Sequence, residues 1–150
     1  MKRYITLLIA FLSLISLDTQ TAYTKDWGYV WLSSSEHDKA LILAGYRIAI
    51  SQVCSQQYKM TSEGKIICLA NQADDNTYIA TQHLIDEVYR REKYKYINIE
   101  NTIHLSILYL LNKISIDDFD KLLNIFSDRT DPDKQKMETY RKTISSLLLK

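Results

Sequence analysis

Apolar residues recur along this chain in blocks with helical spacing, and the first block stands apart from the rest. Residues 5–17 (ITLLIAFLSLISL) are interrupted only by Thr6, Ser13 and Ser16, and Asp18 closes the run. From about residue 34 to 58 the apolar positions are Ala40, Leu41, Ile42, Leu43, Ala44, Tyr46, Ile48, Ala49, Ile50, Val53 and Cys54. On a 3.6-residue wheel they leave only a narrow polar strip at Arg47, Ser51 and Ser55, and a helix apolar nearly all round is expected at the centre of a fold. Ser33 and Glu36 have the spacing of a capping box at its start. Gly45 in its middle costs ~1 kcal/mol relative to alanine, and close packing against another helix is the expected reason for it.

Four more helices follow from the same reasoning. Gly64 marks a turn, and residues 66–70 fit either an extended stretch or a helical turn. A second helix starts after a cap at Asp74, Asp75 or Asn76. Its inner face is Tyr78, Leu84, Ile85, Val88 and Tyr89, and its outer face is His83, Asp86, Glu87, Arg90 and Arg91. Asp86–Arg90 and Glu87–Arg91 are then i, i+4 ion pairs in the favourable orientation. A third helix over residues 99–113, capped by Asn98, carries Ile103, Leu105, Ile107, Leu108, Leu110 and Leu111. A fourth starts at Ser115, with Asp118 in the capping-box position and a stripe of Phe119, Leu122, Leu123 and Phe126. Asp131 and Pro132 begin a fifth, which continues through Met137, Tyr140, Ile144, Leu147 and Leu148. With one proline and three glycines in 150 residues, the expected fold is all-α, a compact bundle of about five helices.

The first apolar block has a different use. Lys2 and Arg3 precede it, it is thirteen residues long, and small or polar residues lead from it to Ala22. A spanning helix needs ~20 apolar residues, so this is the pattern of a secretory signal removed near Thr21 or Ala22. The expected organisation is a signal at 1–22 and one helical domain at 23–150, working in the periplasm or outside the cell. Losing Lys2, Arg3 and Asp18 takes the charges from 19 basic and 18 acidic to 17 of each. A neutral domain has no general attraction for nucleic acid, and membrane contact is not indicated. In an oxidising compartment Cys54 and Cys68 are expected to bond to each other. Closing a loop of that length is worth ~3 kcal/mol in the chain-entropy model.

Candidate chemistry is sparse. His83 shares a face with Asp86 and Glu87, but a metal site needs further ligands from His37 or His104, and no spacing directs either of them there. Ser33, Ser34 and Ser35 read as capping residues, and Asp117, Asp118 and Asp120 as acids favoured at a helix start. No catalytic set, cofactor or metal is therefore assigned. The densest feature is residues 89–96 (YRREKYKY), where cations alternate with tyrosines. Arg90, Arg91, Lys93, Tyr94 and Tyr96 are the candidate partner surface, since arginine and tyrosine are enriched at binding hot spots. Tyr89 is expected to point inward. Arg90, Lys93 and Tyr94 are expected outside, where truncation to alanine changes stability by no more than ~0.5 kcal/mol.

Two stretches carry a family likeness. Trp31-Leu32-Ser33-Ser34-Ser35-Glu36, then Lys39 and Ala44-Gly45-Tyr46, resembles the opening of small exported bacterial helical proteins of unknown role. Ile85-Asp86-Glu87-Val88-Tyr89, with Ile97-Asn98-Ile99, resembles their second recurrent block. A more distant similarity is to periplasmic amidase-immunity proteins of type VI secretion systems, small exported helical domains with a disulfide and a glycine-bearing first helix. This chain lacks the cysteine near the C-terminus that some of them have. The expectation is an exported, non-catalytic domain that binds another protein as an inhibitor, immunity factor or envelope accessory, with its oligomeric state left open. An envelope hydrolase using a carboxylate pair assembled in space, and a structural or lipid-facing accessory protein, are the alternatives.

Overall fold

A computed structural model describes residues 25–55, 62–128 and 133–148. The export signal and the Asp131–Pro132 helix start lie outside these residues. The described chain is all-α, with seven helices: α1 (Trp27–Ser33), α2 (Glu36–Ser55), α3 (Ser62–Cys68), α4 (Asp75–Tyr89), α5 (Ile99–Leu110), α6 (Ile116–Ser127) and α7 (Asp133–Leu148). Single 3-10 turns occupy Leu69–Gln72 and Glu92–Tyr94. The two helices beyond the expected five are α1 and α3, each seven residues long. Two turns are too few for a 3.6-residue period to show. Gly64 accordingly lies within α3 and not in a turn.

Side-chain caps set several starts. Asp74 Oδ1 accepts from the Thr77 N–H at 2.7 Å, which selects it among the three candidate caps of α4. Asn98 Oδ1 accepts from the Glu100 N–H at 2.8 Å. At α6 Ser115 Oγ accepts from the Asp118 N–H, and the Ser115 hydroxyl donates to the Asp118 carboxylate. At α2 the cap is two residues later than the sequence pattern implies, in both of its positions. Ser35 and Asp38 make the reciprocal pair, while the Ser33 hydroxyl donates back to the Tyr29 carbonyl within α1. Helix α5 stops at Leu110, short of the expected residue 113. Asn112 takes φ 55°, a left-handed conformation that asparagine tolerates, and the Lys113 N–H returns to the Leu108 carbonyl at 2.9 Å.

The central helix is α5, where every residue from Thr102 to Leu108 is buried. Ile103 and Ile107 join Trp31, Leu43, Ile50, Tyr78, Ile85 and Tyr89 in one apolar cluster. Leu105 and Leu108 face a second cluster with Val88, Tyr94, Ile97, Phe119, Leu122, Leu123 and Ile144. Helix α2, expected at the centre, packs on one side only. Leu43, Ile50 and Cys54 are buried, and Leu41, Ile48 and Val53 remain 56%, 59% and 51% exposed. Its C-terminal end is tied to α3 by the Cys54–Cys68 disulfide, with Cα atoms 5.6 Å apart. No helix among the described residues is long and apolar enough to cross a membrane.

Candidate interaction surface

A buried polar knot holds α1 and α2 against α4. The Trp31 indole N–H donates to Asp86 Oδ1 at 2.7 Å, and the Lys39 ammonium reaches the same oxygen at 3.0 Å and Glu36 at 3.2 Å. Gln82 adds a hydrogen bond to Glu36. Burial opposes the charge on Lys39, but its hydrogen bonds and attraction to Asp86 and Glu36 outweigh that and raise its pKa. Asp86 is thus not an outward acid paired to Arg90. Arg90 bonds Glu87 instead, three residues away, and Arg91 reaches Asp120 on α6 at 3.1 Å. The knot draws together Trp31, Glu36 and Lys39 with Asp86, residues about 50 positions apart in the chain.

The cation-rich segment is partly a seam. Helix α4 ends at Tyr89, and the 3-10 turn that follows re-aims each side chain. Arg90, Arg91 and Lys93 are exposed, and Tyr96 is half-buried. Tyr94, expected outside, is 0% exposed, and its hydroxyl donates to Asn124 Oδ1 at 3.2 Å. Lys93 Nζ donates to the same oxygen at 3.2 Å and lies 4.4 Å from the centre of the Tyr94 ring. The far end of the segment meets α1. The Gly28 N–H donates to the Lys95 carbonyl at 2.7 Å, and a Cβ at Gly28 would fall 2.9 Å from Lys95 Cβ. Glycine is therefore required at position 28 by close approach.

The surface that the sequence patterns did not single out lies on α2. At 100° per residue, Leu41, Gly45, Ile48 and Gln52 form a stripe opposite the buried residues Leu43, Ile50 and Cys54. Beside it a shallow groove of about 170 Å³ runs between α2 and α4, lined by Ala40, Leu43, Ala44, Arg47, Tyr78, Ile79 and Gln82. Ile79 is 61% exposed at its edge. Arg47 bonds Asp75 at 2.5 Å and sits 5.2 Å from the centre of the Tyr78 ring. A Cβ built on Gly45 meets nothing within 4 Å. Close packing against the described residues is therefore not the reason for this glycine. Gly45→Ala should stabilise the monomer by about 0.5–1 kcal/mol through helix propensity alone. Urea unfolding of the monomeric protein measures this, and a loss of stability would mean that a neighbour does crowd the site.

Beneath this face, Tyr46 of α2 is joined to His104 of α5 by a 2.7 Å bond between the phenol oxygen and Nδ1. Burial raises the Tyr46 pKa, with smaller contributions from Tyr78, Tyr140 and Glu100. His104 Nε2 is buried with no hydrogen-bond partner among the described residues. Burial lowers the His104 pKa from 6.5 to about 4. The unfolded chain takes up this proton near pH 6.5, and the folded chain does not until about pH 4. The stabilising effect of the neutral ring is complete above the unfolded value and is lost as pH falls through that window. At ~1.4 kcal/mol per unit the loss is about 3 kcal/mol. Urea midpoints measured across this range should fall more steeply for the parent than for a His104→Leu variant. Parallel curves would remove His104 as the cause.

A larger groove, about 590 Å³, lies along α6 and reaches α7, with Asp117, Asp120, Asp128, Lys121, Asn124, Ile125 and Thr139 around it. Asp120 there is engaged by Arg91. Among the described residues no group of three His, Cys, Asp or Glu side chains is placed to hold a metal ion. No family model, no curated protein and no solved structure matches this chain.

Proposed function

We propose that this is an exported, non-catalytic domain that binds another protein, acting as an inhibitor, immunity factor or envelope accessory. The observation that carries the reading is the apolar outer face of α2. Leu41 and Ile48 are each more than half exposed on one stripe of α2, and Ile79, 61% exposed, edges the shallow groove between α2 and α4, on helices fixed by the buried knot. Clustered apolar exposure on a rigid framework is what a docking surface requires, whereas single apolar residues scattered over a surface need no explanation. The Cys54–Cys68 bond fits an oxidising compartment and supports export. Arg90, Arg91, Lys93 and Tyr96 offer a second, polar patch, now without Tyr94.

Capture from the native cell envelope tests this reading. A partner retained by the parent should be weakened at least ten-fold by a Leu41→Glu/Ile48→Glu double variant and less by Arg90→Ala. Equal retention by the double variant would remove α2 as the docking face. The α6–α7 groove supports the alternative of an envelope hydrolase, because several carboxylates line one cavity. Cell-wall turnover by the protein that is abolished in Asp117→Asn or Asp128→Asn would favour that alternative.

A further inference from the structure

We propose that the outer face of α2 seats a second copy of this chain, the two α2 helices running antiparallel across a two-fold axis at Gly45. The inference rests on the reading of that face as a docking surface and names its occupant. Three features of the face make it complementary to itself. Leu41 lies four residues before Gly45 and Ile48 three residues after it, both on one flank of the stripe. A two-fold axis at Gly45 therefore sets Leu41 of each copy beside Ile48 of the other. Gly45 then falls at the crossing, where the missing side chain lets two helix backbones approach closely. This accounts for a helix-weakening residue that nothing among the described residues explains.

The polar residues agree with the same orientation. The exposed acids of α2, Glu36 and Asp38, are confined to its N-terminal end. Antiparallel pairing holds the two acidic ends most of a helix length apart, about 30 Å for twenty residues, whereas parallel pairing would bring like charges together. It also puts Asp38 of one copy level with the Gln52 amide of the other, an acceptor facing a donor. One helix face offers less than the ~800 Å² per partner of a standard interface. The dimer is accordingly weak and depends on concentration.

Two measurements on the protein purified from its own host test the proposal. Sedimentation equilibrium from micromolar to millimolar concentration should show a monomer–dimer equilibrium. Leu41→Glu should raise its dissociation constant at least ten-fold. With Cys54 and Cys68 bonded to each other, a Leu41→Cys/Ile48→Cys double variant places new thiols side by side between the two copies, leaves Gly45 at the crossing, and should give a reducible covalent dimer on mild oxidation. Arg90→Cys, exposed elsewhere, should not. A monomer at every concentration, or crosslinking equally efficient through both variants, overturns the dimer. If such a monomer still loses its envelope partner through Leu41→Glu/Ile48→Glu, the docking face stands with a different occupant. If neither a dimer nor a partner depends on those residues, both readings fall.

Discussion

Replacing Asp86 by alanine should destabilise the protein by about 3–5 kcal/mol, because it strands a buried cation. Lys39 is 4% exposed, and Asp86 supplies its closest counter-charge at 3.0 Å. The remaining acid, Glu36, has a side chain largely in water, where an ion pair contributes little. The same substitution leaves the indole N–H of the buried Trp31 without its acceptor. Asp86→Asn keeps an oxygen for Trp31 and removes the charge, so its cost should fall between the parent and the alanine variant. Lys39→Met should cost less than Asp86→Ala, since the carboxylate keeps the Trp31 bond and some contact with solvent. Urea unfolding of the three variants and of the Lys39→Met/Asp86→Ala double variant gives the coupling. A double variant as unstable as the sum of the singles would show that the two groups do not interact.

That knot also marks where sequence reasoning stopped. Low glycine and proline content, and caps such as Asn98 and Ser115, were enough to expect an all-α fold, because each acts within one turn of chain. The stripe of Phe119, Leu122 and Leu123 was legible for the same reason and is buried as expected. Asp86, in contrast, satisfies two rules at once. It has a cation four residues along its own helix and another, Lys39, 47 residues away. Only packing decides between them, and the long-range partner wins because it is desolvated. Helix α2 failed for a related reason. A wheel apolar all round describes a central helix or a helix that presents an apolar face to a partner, and the pattern of residues is the same in both cases. Gly45 is a local sign of the second case, but a glycine packed inside its own chain leaves the same sign in the sequence. The exposed apolar stripe therefore lies on a helix whose periodicity alone predicts a place in the core.

The cation-rich segment carries the other large expected effect. Tyr94→Ala should cost about 3–5 kcal/mol, the range for truncating a fully buried aromatic, and not the near-zero change expected of an outward residue. The reversal comes from backbone geometry. Continuing the α4 wheel past Tyr89 assigns Tyr94 to the surface, but the chain leaves the α-helix and makes a 3-10 turn at Glu92–Tyr94. That turn sends Lys93 outward and drops the Tyr94 ring into the cluster of Val88, Ile97, Leu105 and Phe119. Tyr94→Phe keeps the ring and loses one hydrogen bond to Asn124, so it should cost no more than about 1.5 kcal/mol. Lys93→Ala loses an exposed contact with Asn124 and the ring face, and should stay within about 1 kcal/mol. Urea unfolding with the Cys54–Cys68 bond intact should rank the three in that order. Equal, small losses for Tyr94→Ala and Lys93→Ala would place the Tyr94 ring in solvent, restore it to the partner surface and remove the 3-10 turn as the anchor of this segment on α6.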